Sequence, residues 1–88
     1  MRISKDSNAG RVAGSVAGLL RAGCTATLEA IGAGATYQSV NAILIASEFV
    51  KSDGINTVIT LRSTRRNVAG TERNVILLDV KGERNVNE

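Results

Sequence analysis

Read from its first residue, the chain alternates between two hydrophobic periods. Val12, Val16, Leu19 and Leu20 recur at the i, i+4, i+7 and i+8 spacing of one helical face. Polar KDSN precedes that run and offers Asp6, Ser7 or Asn8 as an N-cap, while Gly23 is placed to end it. The pattern therefore predicts a short strand over Met1 to Ser4 and a helix from about Ala9 to Ala22. Ala26 to Ile31 then alternates with period two, Leu28 and Ala30 on one face and Thr27 and Glu29 on the other. Helical periodicity returns from Ala35 to Val50, with Val40, Ile43 and Leu44 on one side and Ala42, Ile45, Ala46 and Phe49 continuing round it. Beyond Ser52, Asp53 and Gly54, alternation places Ile55, Thr57, Ile59 and Leu61 opposite Arg62 over a strand from Ile55 to Thr64. Asn67 and Gly70 mark a turn, and a return strand over Thr71 to Lys81 sets Ile76, Leu78 and Val80 inward and Arg73 outward.

The predicted order is βαβαββ. Right-handed crossovers place both helices on one face, so the expected class is α+β, a two-layer sandwich of a four-stranded mixed sheet and two helices. One domain over residues 1–82 is expected, with a frayed C-terminal tail over 83–88, where GERNVNE has no periodicity. Gly10, Gly14 and Gly18 recur every four residues in the first helix, and their cost there predicts close approach of another element to Gly14 or Gly18. Val58, Val75 and Leu77 fall on the helix-free face, and they join the broad apolar surface of the second helix in predicting a symmetric homodimer.

Composition narrows the chemistry. With no His and a single Cys, Cys24, the chain lacks the commonest general base and the means to build a thiolate metal cluster, so neither an enzyme nor a metal site is expected, and no cofactor. One Phe, one Tyr and no Trp leave an aliphatic core and little for base stacking. The opening MRISKDSNAG has no apolar core of a signal peptide, and no apolar run reaches the ~18 residues of a membrane span. The expected location is the cytoplasm, at the nucleoid if nucleic acid is the partner.

Two features carry candidate chemistry. The first is the strand-to-helix corner Gly32, Ala33 and Gly34, where free helix amides and the helix dipole can hold a phosphate. The alternative there is a cramped turn that simply needs glycine. Neither nucleotide motif is present: Tyr37 stands where a GxGxxG pattern needs its third glycine, and no GKS or GKT follows. The second is charge placement. Net charge is only +3, but four of the eleven basic residues and one of the eight acidic ones lie between Thr60 and Asn74, so the rest of the chain is neutral. The excess sits on Arg62, Arg65, Arg66 and Arg73.

RVAGSVAGLLRAG followed by LEAIGAGATYQSVNAILIASEFV resembles the stage V sporulation protein S family. VAGSVAG at Val12 to Gly18, AIGAGA at Ala30 to Ala35 and the following Gln38 carry the likeness. The order of elements is also similar to the wider Alba group of chromatin and RNA-binding proteins, and to the C-terminal domain of translation initiation factor 3. The resemblance implies an Alba-like, dimeric, nucleic-acid-associated regulator in which the hairpin and the start of the first helix approach the nucleic acid. By position, those regions hold Arg62, Arg65, Arg66 and Arg73, and Lys5, Asn8 and Arg11. The paired lysines many Alba proteins carry before the first helix are reduced to Lys5, and position 41, often basic in the sporulation family, is Asn41.

Two functions follow. In the first, a dimer binds DNA or RNA phosphates through the basic hairpins with little sequence preference. In the second, a developmental regulator acts through protein contacts, its arginines meeting an acidic partner.

Overall fold

The computed structural model describes residues 1–84, and its elements run β1 (Arg2–Ile3), α1 (Ala9–Arg21), β2 (Ala26–Ala30), α2 (Ala33–Lys51), β3 (Ile55–Val68) and β4 (Thr71–Arg84). The order is βαβαββ, as the periodicity predicts, in a single mixed sheet whose strands lie in the order β1-β2-β4-β3. β1 lies parallel to β2, while β4 runs antiparallel to both β2 and β3. Leu28, Leu78 and Val80 on the sheet meet Val16 and Leu20 of α1 and Ile43 and Val50 of α2 in one core. No helix among the described residues is long and apolar enough to cross a membrane.

Local chemistry sets the ends of α1. Asn8 is the N-cap: its side-chain oxygen accepts the Arg11 backbone N–H at 3.1 Å. Gly23, at φ +79, carries the chain out of the helix in the left-handed conformation that other residues resist. The buried stripe is Ala13, Val16, Ala17 and Leu20, with Val12 and Leu19 at its margin.

That stripe overturns the expectation for the glycines. Gly14 and Gly18 are exposed, and a Cβ added to either would meet nothing within 4 Å. The small side chains that the helices bury are instead Ala13 and Ala17 of α1 and Ala42 and Ala46 of α2. Every fourth residue of a helix shares a face, and the glycine row lies on the one turned to water.

On α2 the core takes small residues and leaves large ones outside. Ala35, Ser39, Ala42, Ile43, Ala46 and Val50 are buried, whereas Tyr37, Val40, Leu44 and Phe49 are exposed. The buried Ser39 hydroxyl donates to the Ala35 carbonyl at 2.9 Å, which satisfies it within the helix.

The hairpin is longer than its alternation suggests. β3 continues past Thr64 to Val68, and β4 past Lys81 to Arg84, so residues 83 and 84 pair with Asn56 and Ile55 instead of fraying. The rest of the expected tail, residues 85–88, lies outside the described residues. Ala69 and Gly70, both at positive φ, form the two-residue turn, and Asn67 Oδ1 accepts the Gly70 N–H at 3.0 Å. Gly82 is fixed by packing, because a Cβ there would come within 2.5 Å of Ile55 Cγ2.

Candidate functional site

An unbroken ladder between β3 and β4 fixes which hairpin side chains share a face. Arg62, Arg66 and Arg73 fall with Thr27 and Glu29 of β2 and Asp79 of β4 on the side away from the helices. Arg65 and Glu72 project on the opposite side and pair with each other at 2.9 Å, both well exposed. The four arginines therefore do not form one patch. All four stand on paired strands rather than in a loop, so the sheet sets their spacing.

Folding also brings acids to them that are distant in sequence. Arg62 donates through Nε to Asp79 Oδ2 at 2.5 Å and through Nη2 to Oδ1 at 3.1 Å, and the Thr27 hydroxyl donates to the same Oδ1 at 2.7 Å. These donors stabilise the carboxylate and hold Asp79 down at about 2. Arg62 is raised in turn by its bond to Asp79. Arg66 donates through Nη1 to Glu29 Oε1, and this bond, then the nearby charges of Arg66, Arg2 and the N-terminus, lowers Glu29 against a desolvation that raises it. Glu29 is on β2 and Arg66 on β3, so the ion pair spans β4. It crosses near Val75, which is fully buried, and Leu77, which is half-buried. Of the apolar groups expected to lie open on this face, Val75 is therefore buried, and Val58 and Leu77 are half-buried.

Arg66 and Arg73 are direct cross-strand partners. Like charges in that arrangement repel, and the two guanidinium groups have separate neighbours. Arg66 meets Glu29, whereas Arg73 Nη2 lies 3.9 Å from where a Cβ of Gly32 would stand. The hairpin arginine thus reaches the glycine corner.

That corner opens on a recess of about 400 Å³ whose lining includes Arg2, Lys5, Glu29, Gly32, Gly34 and Ala35. Both glycines have backbone reasons to be there. Gly32, the N-cap of α2, sits at φ +90, and a Cβ on Gly34 would fall 2.7 Å from Lys5 Cβ. No side chain caps α2, so its first amides are left to solvent or a ligand. Ala33 is the first helical residue and is exposed.

The remaining expected residues are dispersed. Lys5 stands in the recess, Asn8 is spent as the cap of α1, and Arg11 is exposed on the first turn of that helix. Sequence reasoning missed Arg2, Glu29 and Asp79 as members of the charged face. Their signal was alternation: Glu29 and Asp79 occupy outward positions on two strands that pair, and Arg2 is the register partner of Glu29.

This arrangement is a cation-rich sheet face in which two carboxylates, Glu29 and Asp79, are paired with arginines, ending at a glycine corner, and it contains no triad of nucleophile, base and orienting acid among the described residues. In comparison with known families, the model for stage V sporulation protein S matches residues 1–83, which takes in both helices and nearly all of the sheet. The chain belongs to the stage V sporulation protein S family.

Proposed function

We propose that the protein is a non-enzymatic, sporulation-related regulator that binds nucleic acid in the cytoplasm, at the nucleoid. The observation that carries this reading is the helix-free sheet face, on which Arg2 of β1, Arg73 of β4 and Arg62 and Arg66 of β3 all lie. Lys5 in the recess adds to this cationic surface, and Arg65, on the other side of the hairpin and paired with Glu72, flanks it. Phosphates of a DNA or RNA backbone lie along this surface, one of them at the corner of Gly32, Ala33 and Gly34 beside Arg73 and Lys5. A face whose donors are guanidinium groups, in a chain with one Phe and one Tyr, offers phosphate contacts and little base stacking, so sequence preference is weak.

The functional unit in this proposal is a homodimer. On β3, an edge strand, Ile59 and Leu61 face the helix side yet remain 44% and 68% exposed, and Val40 and Leu44 of α2 are 42% and 61% exposed. Apolar surface of this kind supports burial against a second copy, which doubles the number of hairpins offered to one ligand.

Titration of labelled duplex DNA and of a structured RNA at two salt concentrations tests the proposal. Two hairpins making about four phosphate contacts give a slope of log affinity on log salt near −3 to −4. Arg73→Glu weakens binding to all sequences alike and flattens that slope, while Lys51→Glu, at the far end of α2, does much less. Absence of binding to either nucleic acid at low salt would refute it and favour the protein-contact reading.

A further inference from the structure

The cationic face already holds anions of its own. Glu29 stands where β1, β2 and the hairpin converge: its register partner on one side is Arg2, and across β4 it accepts the Arg66 guanidinium. Asp79 does the same for Arg62 and is held in place by Thr27. A phosphodiester has the charge and the acceptor oxygens of these carboxylates, so it must compete with them for the same N–H donors. Arg66 also sits directly opposite Arg73, and without Glu29 that pair lacks a counter-charge. Glu29 thus occupies the position on this face that an external phosphate would fill best.

We infer that Glu29 and Asp79 set the affinity of the sheet face, acting as intramolecular competitors that a nucleic-acid phosphate displaces from Arg66 and Arg62. The inference rests on the nucleic-acid reading and adds the residues that limit it. In the free protein, Arg73, Arg2 and Lys5 make the first contacts, and Arg62 and Arg66 join by exchanging one carboxylate each for a phosphate. Binding is accordingly weaker than a count of hairpin arginines implies.

The experiment measures binding of a labelled random-sequence duplex DNA to the full chain carrying Glu29→Gln, Asp79→Asn or Glu48→Gln, each at several salt concentrations and each checked by thermal melting. Glu48 is exposed on α2, and its substitution makes the same change in net charge away from the hairpin. Glu29→Gln and Asp79→Asn are each expected to bind about two- to fivefold tighter, because ion pairs at a protein surface, with half-buried carboxylates such as these, are still weak competitors, and to steepen the salt slope by about one contact. Glu48→Gln leaves the slope unchanged. The added contact belongs to Arg66, so the double variant Glu29→Gln/Arg66→Gln returns to the slope of Arg66→Gln alone.

Equal or weaker binding by a folded Glu29→Gln and a folded Asp79→Asn, with parental slopes, overturns the inference while leaving the nucleic-acid reading intact. Tightening that Glu48→Gln matches overturns it as well, since net charge alone would then account for the gain. If the parent binds no nucleic acid, the proposed function fails and this inference with it. Should either substitution unfold the protein, the other carries the test at its own arginine.

Discussion

Gly14 and Gly18 offer a direct test of which helix face is used. Each sits inside a 13-residue helix, exposed, with nothing within 4 Å of a Cβ added there. A methyl group therefore enters open space, restricts the unfolded chain and shields helical backbone. Gly to Ala in a helix interior is worth about 1 kcal/mol, so Gly14→Ala/Gly18→Ala gains about 2 kcal/mol if the two add. For a domain of this size 1 kcal/mol moves the melting midpoint by about 4–8 °C, so the double variant melts about 8–16 °C above the parent. Gly10 is left out of the design, because its Cβ would stand 3.3 Å from Asn8 Oδ1 and press on the helix cap. Far-UV circular dichroism melts of the two single variants and the double variant provide the measurement. A midpoint at or below the parent's refutes the reasoning, and would mean that a surface from outside the chain occupies the glycine face.

Two further outcomes are expected. Leu44→Glu and Leu61→Glu place a charge in the exposed apolar strip of α2 and β3 and convert a dimer to monomer in sedimentation at tens of micromolar, with little change in the melting of the isolated fold; a monomeric parent refutes the dimer. Asp79 ionises at about 2 when folded against an ordinary 3.8, so the unfolded chain binds more protons between these values; its stabilisation is whole above about pH 4 and is lost as pH falls through about 2. Glu29 is lowered as well and acts in the same direction. The melting midpoint of Asp79→Asn therefore falls less than the parent's over that window, and equal falls would show that the Arg62–Asp79 pair adds nothing.

Much of the fold was legible because local periods and global packing agree. Val16 and Leu20 at helical spacing, Leu28, Leu78 and Val80 at strand spacing, and Gly23 at a helix end each state their element and their buried side without reference to distant parts of the chain. Periodicity is weaker where a residue is small or an element has several candidate faces. In α2 it identified a helix apolar all round but not which side the core would claim. Tertiary packing assigned Ala42 and Ala46 to the interior and left Val40 and Leu44 outside, because small side chains let a helix come close to the elements packed on it. The glycine row of α1 went the other way for the same reason, since Ala13 and Ala17 already fill the contact.

The charged face divides along the same line. Sequence alone determined that the formal excess lies between Thr60 and Asn74, and alternation determined that Arg62 and Arg73 point away from the core. It did not determine how much of that charge is free. Glu29 lies 37 residues from Arg66, and Asp79 lies 17 from Arg62, so no count over a short window includes either partner. The hairpin register sets Asp79 beside Arg62, and only the strand order β2-β4-β3, with the outward side chains of β2 and β3 on one face, brings Glu29 within reach of Arg66 across β4. Net charge belongs to composition; which charges remain for a partner is decided by pairing across strands.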